Sequence, residues 1–257
     1  MVNDPAGANL VTDAPVLDIA GFCPICEADT RFVASNTWFR DTLECAGCRS
    51  VPRERALMMV IDLLYPEWRS LAIHESSPGD RGTTKKLERE CANYCSSQYD
   101  PSIPWGSINP SLGHRSENLE AQTFADGSFD LVITQDVFEH IFHPGQAMRE
   151  IARTLKPGGA HIGTVPIVRK RLPSRRRAQI GADGVVQHLL PAEYHNNPVD
   201  AGGSLVTIDW GYDIAGYMTR ESGLSTLLFS IDDLTRGVRA EYLEVMVNQN
   251  SSAAQDL

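Results

Sequence analysis

Apolar residues in this chain follow two rhythms. In PRERALMMVIDLLYP (residues 52–66) they recur at three and four places, with Leu57, Val60, Ile61 and Leu64 on one side, which predicts a helix with one buried face. Pro52 suits its first turn and Pro66 ends it. From residue 70 short apolar runs alternate with helical stretches. SLAIHE, ANYCSSQ and FDLVIT predict buried strands, and TKKLEREC and PGQAMREIARTL predict helices. KPGG reads as a stop past the second helix, after which AHIGTVP resumes as strand. DIAGYMTRESG predicts a further helix, and LSTLLFSI and RAEYLEVMVNQ two strands that the polar DDLTRGV would join as an antiparallel pair. The alternation predicts an α/β fold with a mostly parallel sheet covered on both faces and a C-terminal antiparallel strand pair.

The expected organisation is a flexible Pro/Ala/Asp-rich lead (1–20), a four-cysteine block (21–51), a connecting helix (52–67), the α/β domain (68–248) and a flexible tail (249–257). Residues 166–210 interrupt the rhythm with a basic run, glycines and polar aromatics. No internal repeat is visible.

Composition narrows the function classes. The 257 residues are 42% hydrophobic and 22% charged, which excludes wholesale disorder. Lys and Arg number 23 against 33 Asp and Glu, a net charge of −10. That balance disfavours nucleic acid as a partner, because duplex affinity comes mainly from Lys and Arg contacts. Asp4, Asp13 and Asp18 stand where a secretory signal would be basic. The longest apolar stretch, residues 56–64, is shorter than the ~20 residues of a spanning helix. A soluble, cytoplasmic protein without a membrane span is expected.

Cys23, Cys26, Cys45 and Cys48 form C-x2-C-x18-C-x2-C. Each two-residue-spaced pair brings two sulfurs to one metal, and two such turns close a tetrahedral shell. The pattern predicts a structural Zn2+ site, since four thiolates leave no open position for catalysis; a rubredoxin-type iron centre has the same ligand set. The 18-residue link is expected to fold back as a hairpin with Phe32, Val33, Trp38 and Phe39 as a small core. Cys91 and Cys95 read as buried free thiols, with a redox pair as the alternative.

Ligands of a doubly wound sheet bind beyond the carboxyl ends of its strands. After SLAIHE the small residues Ser76, Ser77, Gly79 and Gly82 let backbone N–H groups approach a ligand. Glu75 at the strand end is unsuited to pyrophosphate and suits a cofactor with a cationic amino group. This favours S-adenosyl-L-methionine over a nicotinamide dinucleotide.

The segment FADGSFDLVITQDVFEHIFHPGQAMREIARTLKPGGAHIGTVP resembles the central part of class I S-adenosylmethionine-dependent methyltransferases of the type 11-like kind, and the resemblance covers residues 68–248. The four-cysteine block, EYHNNPVD and WGYD resemble a bacterial subgroup met near glycosyltransferases. The resemblance implies a Rossmann-like domain behind a small N-terminal zinc ribbon. It also implies cofactor contacts. Glu75, Ser77 and Gly79 match the E-x-G-x-G loop, with Ser77 replacing its first glycine, Arg81 the third, and Gly82 one place late. Asp100, or alternatively Gln98, stands for the ribose acid. Asn118 and Leu119 match the adenine-reading pair, and Thr134 and Gln135 the positions beside the methionine part.

Asp136, Glu139, His140 and His143 follow the fourth strand, where the methyl group should lie. His140 is the first candidate for a general base, because imidazole titrates near neutral pH; Asp136 and His195 are the other catalytic candidates, with His188 also in reach. The 166–210 insertion is the expected substrate cap. Its His188, Glu193, Tyr194, His195, Asp209 and Trp210, with Tyr212 just beyond, suit a sugar or polyol. RKRLPSRRR, between Arg169 and Arg177, holds six cations in nine residues. It reads as a solvated loop, as a site for a phosphate-bearing substrate, or as an RNA contact. The implied function is O-methylation of a glycan, a sugar-linked precursor or a similar small polar acceptor. Two alternatives stay open, an RNA base methyltransferase using the ribbon for RNA contact and a non-catalytic zinc-ribbon adaptor.

Overall fold

The structure, a computed structural model, describes residues 14–111, 113–197 and 201–249. Of the expected flexible segments, residues 1–13 and 250–257 lie outside it, as do residues 198–200 of EYHNNPVD.

The ribbon begins earlier than expected. Strand β1 (Leu17–Cys23) already occupies the end of the anticipated lead, pairing antiparallel with β2 (Ala28–Ala34) from Leu17↔Ala34 to Cys23↔Ala28. A short helix, α1 (Phe39–Thr42), leads into β3 (Leu43–Cys45), which pairs with β2. Phe32 is fully buried, as the small-core reading requires, but Trp38 is exposed. The Trp38 indole donates to Asp41 (2.7 Å) and its ring leans on Tyr242, so it lies at the rim of the ribbon.

Helix α2 (Pro52–Leu64) is more than a connector. Its first turns are buried on nearly every side, whereas Leu64, expected on the apolar face, is exposed. The reason is its place between two layers: Cys23, Phe32 and Leu43 of the ribbon, Leu57, Val60 and Ile61 of α2, and Ile73, Leu131, Ile133 and Ile162 of the main sheet form one continuous core. Arg55 is wholly buried there. It donates to the carbonyls of Ser50, Leu43 (2.8 Å) and Gly237 (2.6 Å), and its guanidinium sits over the Phe32 ring. Burial lowers its pKa to about 10. A buried guanidinium is tolerated only when its donors are satisfied.

The main sheet uses β4 (Ala72–Ser76), helix α3 (Gly82–Glu90), β5 (Asn93–Gln98), β6 (Arg115–Ser116), β7 (Phe129–Gln135), helix α4 (Pro144–Thr154) and β8 (Leu155–Thr164). The expected pause at KPGG does not occur: β8 starts at Leu155, directly after α4, and a bulge between Phe129 and Leu131 absorbs the irregular pairing. An insertion then carries β9 (Arg175–Arg176), β10 (Ala178–Ile180), β11 (Val186–His188), β12 (Tyr194–His195), β13 (Ser204–Leu205) and β14 (Ile208–Asp209), paired β9 with β14, β10 with β11 and β12 with β13. Helix α5 (Ile214–Ser222), β15 (Ser225–Phe229) and β16 (Val245–Gln249) complete the chain.

The sheet order is β15-β16-β8-β7-β4-β5-β6, and β16 alone runs against its neighbours. This is the α/β, Rossmann-like, mostly parallel sheet with its C-terminal antiparallel pair. The link between β15 and β16 is not a hairpin turn. It runs from residue 230 to 244 and packs on the ribbon, where a Cβ at Gly21 would meet the Thr235 carbonyl at 2.2 Å. α4 and α5 cover the second face, with Met148, Ile151, Ile214 and Met218 against Val132 and Met246. Among the described residues no helix is long and apolar enough to cross a membrane.

Candidate functional site

Two matching turns build the thiolate cluster. In each, the residue after the second cysteine, Glu27 or Arg49, adopts a left-handed conformation, and its N–H donates to the carbonyl of the first cysteine at 2.8 Å. The four sulfurs lie within 4.8 Å of one another, with Cys23–Cys48 at 3.8 Å and Cys26–Cys45 at 3.7 Å. A tetrahedron with Zn–S bonds of about 2.3 Å has edges of about 3.8 Å, so the donor set fits a zinc ion. Cys91 and Cys95 are free; Cys91 donates to the Leu71 carbonyl at 3.2 Å.

At the end of β4, Glu75 is fully buried and its carboxylate is braced from three sides. Oε1 accepts from the Thr84 hydroxyl (2.7 Å) and the Gln135 amide (2.8 Å), and Oε2 from the Tyr94 hydroxyl (2.7 Å). Burial raises its pKa and these donors oppose the rise. Ser77 takes the left-handed backbone (φ 58°) that a glycine would adopt more easily, so the turn keeps its path with a side chain in place. The late glycine has a packing cause. Arg81 leaves the loop toward Glu54 (3.3 Å) and Glu44 (3.5 Å), and at Gly82 (φ 57°) a Cβ would meet the Glu54 carboxylate at 2.2 Å. With Arg81 turned away, the loop presents backbone and small side chains next to the buried, hydrogen-bonded Glu75.

Asp100 lies two residues past β5 and accepts from the Ser102 N–H (3.1 Å), the Ser102 hydroxyl and Asn109 (2.8 Å), which hold its pKa down; Gln98 ends β5 itself. The Asn118 amide oxygen accepts from the Glu120 N–H (2.9 Å), leaving one lone pair for a ligand, and Leu119 is buried. The Thr134 side chain is fully buried and its hydroxyl bonds His161 Nε2 (2.9 Å), so at this position only backbone is left to meet a cofactor. Gln135, the next residue, ties β7 to Glu75.

Asp136 is corrected as a catalytic base. It accepts from Arg40 of α1 (2.7 Å) and from Thr164 (3.0 Å), and pairs with Arg53 of α2 (3.1 Å). Burial pushes its pKa up, but the two guanidiniums outweigh this and hold it low. Arg40 also donates to the Tyr242 carbonyl, so the ribbon side grips the carboxyl edge of the sheet. Nothing local in the sequence announces this pairing, because Arg40 and Arg53 lie about a hundred residues from Asp136.

Glu139 and His140 stand beside His195 of the cap. Glu139 is 2% exposed, and neither carboxylate oxygen has a hydrogen-bond partner. Burial, with the Asp136 charge behind it, raises its pKa well above the usual range. His140 donates from Nδ1 to the Leu205 carbonyl (2.9 Å), and its Nε2 lies 3.7 Å from Glu139 Oε1. Burial lowers the His140 pKa. His195 Nδ1 lies 3.9 Å from the same Glu139 oxygen, and the two imidazole rings meet edge to face. His143 is exposed and pairs with Glu120 (2.7 Å).

Within the cap, Asp209 and Trp210 are buried and not free for substrate: Asp209 pairs with Arg175 (2.9 Å) and Arg177 (3.1 Å). Arg177 also reaches Glu193 (3.1 Å), and Arg176 donates to the Phe142 carbonyl (2.8 Å). In the C-terminal half of the basic run Arg176 and Arg177 are thus turned partly inward, while Arg175 stays half-exposed beside Asp209. His188, Tyr194 and Tyr212 are exposed.

Residues 81–163 match the family model described as a methyltransferase domain. Over 85 residues the chain is 36% identical to the ubiquinone biosynthesis O-methyltransferase of Caulobacter vibrioides, a stretch that is 32% of each chain, so it spans about a third of the length of the curated relatives it matches. An S-adenosylmethionine-dependent methyltransferase from Mesorhizobium loti is similar in structure, with a TM-score of 0.47 and 15% identity over 76% of this chain and 98% of that one. The 1,6-didemethyltoxoflavin-N1-methyltransferase of Burkholderia thailandensis, solved with S-adenosylhomocysteine, has a TM-score of 0.42 and 15% identity over 76% of this chain and 78% of its own. The family match runs from α3 through β5, β6, β7 and α4 into β8, in the middle of a sheet of this order.

Proposed function

We propose that this chain transfers a methyl group from S-adenosyl-L-methionine to an oxygen of a small polar acceptor, of the glycan or sugar-linked precursor kind, and that its four thiolates hold a structural zinc ion. The observation that carries the reading is the hydrogen-bonded span from Thr84 through Glu75 to Gln135, which ties the glycine-poor loop to the segment bearing Glu139 and His140. The name of the Caulobacter relative supports oxygen as the methylated atom. Exposed rings at Trp38, Tyr194 and Tyr212 supply flat apolar faces of the kind that sugars stack on.

S-adenosylmethionine supplies, when bound, an electrophilic methyl group on a sulfonium. Glu75 braces the loop of Ser77 and Gly79 against it, Asp100 takes the ribose hydroxyls, and Asn118 and Leu119 border the adenine. Gln135 keeps the end of β7 in register with that loop. His140 and His195 receive the acceptor oxygen, while Arg40 and Arg53 hold the backbone turn at Asp136 from which Glu139 and His140 project. Alignment and exclusion of water are the main contributions expected of such a site.

Calorimetric titration of the zinc-loaded protein with S-adenosylhomocysteine tests the reading. Saturable binding of about one ligand per chain is expected. Glu75→Gln should weaken it by ten- to a hundred-fold, since an amide N–H then faces donors where a carboxylate accepted. Absence of heat together with an unshifted Tm would sink the reading and favour the adaptor. Methyl transfer to a glycan panel then tests the acceptor class.

A further inference from the structure

We propose that Glu139, His140 and His195 form a second metal site, for a divalent first-row transition ion, distinct from the thiolate cluster. One oxygen and two ring nitrogens of these residues converge within 4.8 Å, from positions that the fold brings together across the base of the cap.

The polar atoms here do not satisfy one another. The Leu205 carbonyl accepts from His140 Nδ1, which fixes the proton on that nitrogen and leaves Nε2 as a lone pair. That lone pair faces a Glu139 oxygen at 3.7 Å, and His195 Nδ1 faces the same oxygen at 3.9 Å, both too long for hydrogen bonds. The Glu139 side chain is 2% exposed with both oxygens unpartnered. The two Glu139 oxygens and the His140 Nε2 lone pair thus meet beside His195 Nδ1 with no hydrogen bond among them, an unmet polar cluster that a cation at its centre would satisfy. Ligands bonded at about 2.0–2.2 Å to one tetrahedral ion lie about 3.4 Å apart, a few tenths of an ångström below the two distances to Glu139 of 3.7 and 3.9 Å.

The surroundings have the form of an outer shell. The Leu205 carbonyl orients His140, and Glu193 faces the far nitrogen of His195 at 3.7 Å. The Glu139 backbone carbonyl accepts from the Thr207 N–H (2.7 Å), so the same cap segment that orients His140 also fixes Glu139. Two imidazoles and one carboxylate suit zinc, iron(II) or manganese better than calcium or magnesium. Three protein ligands leave a position open, unlike the four thiolates, and one carboxylate leaves the centre with a net positive charge. An oxygen of the acceptor is the ligand suited to that position. This last point rests on the methyl-transfer reading, whereas the site itself does not.

The test is metal stoichiometry of the full chain, stripped of loosely bound ions and dialysed against Zn2+. Two equivalents per chain are expected in the unaltered protein. His195→Ala and Glu139→Gln should each retain one equivalent and bind the second at least tenfold more weakly. Loading with Co2+ separates the sites: the near-ultraviolet thiolate-to-cobalt band should keep full intensity in both variants while the weaker visible bands of the nitrogen and oxygen site are lost. His195 is half-exposed, so its variant should fold even where Glu139→Gln does not, and circular dichroism checks this. A single equivalent in the unaltered chain, as a protonated Glu139 hydrogen-bonded to His140 would give, overturns the proposal. So does a second equivalent that survives both substitutions. Failure of the methyl-transfer reading would appear separately, as absent S-adenosylhomocysteine binding with the second metal intact.

Discussion

The thiolate cluster and the Glu139–His140–His195 cluster each bring their donor atoms within 4.8 Å of one another, yet they are built in opposite ways. Cys23, Cys26, Cys45 and Cys48 come from two local turns on a three-stranded sheet, whose core holds few large residues besides Phe32 and Leu43. Their spacing alone predicts the convergence. The second cluster joins a turn after β7 to a cap strand more than fifty residues later, on a framework whose own core is complete without it. Where ligands come from short turns in a small module, bound metal and fold are one equilibrium. Where they are assembled by packing, the fold should survive the loss of a ligand.

The strongest test of that contrast is Cys45→Ala. It should abolish one metal equivalent and lower Tm on the order of 10 °C, because structural zinc contributes directly to folding and the ribbon shares its core with the main sheet. Unchanged zinc content and Tm would break the comparison.

A smaller effect separates the imidazoles that the sheet encloses from those at its edge. His74 and His161 are fully buried, and burial lowers each pKa to about 3. The unfolded chain, with its histidines near 6.5, takes up these protons first. Stability is therefore complete above about pH 6.5 and falls as the pH drops toward 3, by roughly 1.4 kcal/mol per pH unit for each histidine. Unfolding free energies from urea titrations at pH 7 and pH 5 should differ by a few kcal/mol, and His161→Gln should flatten the slope. A flat profile would show that neither ring is held neutral.

The tie between ribbon and sheet edge comes next in size. Arg40→Ala leaves Asp136 with Arg53 and Thr164, so a loss of roughly 2 kcal/mol is expected, below the full cost of breaking an enclosed pair. A double-mutant cycle with Asp136→Asn should give a coupling of at least about 1 kcal/mol. Additive single effects would mean that the contact does not bind the two regions together.

The smallest expected change completes the contrast. His195→Ala should shift stability by no more than about 0.5 kcal/mol, since a half-exposed cap side chain supports no core. A cost of several kcal/mol, measured in urea without added metal, would place this cluster with the thiolates as part of the fold.

Much of the architecture is legible in the sequence because it depends on neighbours a few residues apart. Apolar periodicity marks β4, α3, β7, α4 and α5, and cysteine spacing marks the metal turns. The errors arise where a distant segment intervenes. KPGG carries stop-signal residues, yet pairing with β7 draws it into β8. Leu64 fits the apolar face of α2, but the core ends before reaching it. Asp136 follows a strand as a base would, and two arginines from the ribbon side take its charge. Asp209 and Trp210 have the composition of a substrate cap and lie buried beneath it.

By itself, then, the sequence determined most elements of the main sheet and its helices, the α/β class and the convergence of the four cysteines, because these follow from backbone periods and turns that a few consecutive residues enforce. Only the tertiary structure decided which acids are neutralised, which side chains face the cap, and that Glu139 meets two imidazoles without a hydrogen bond to either. Those outcomes depend on burial and on charge pairs between segments far apart in the chain, whose distances no local pattern encodes.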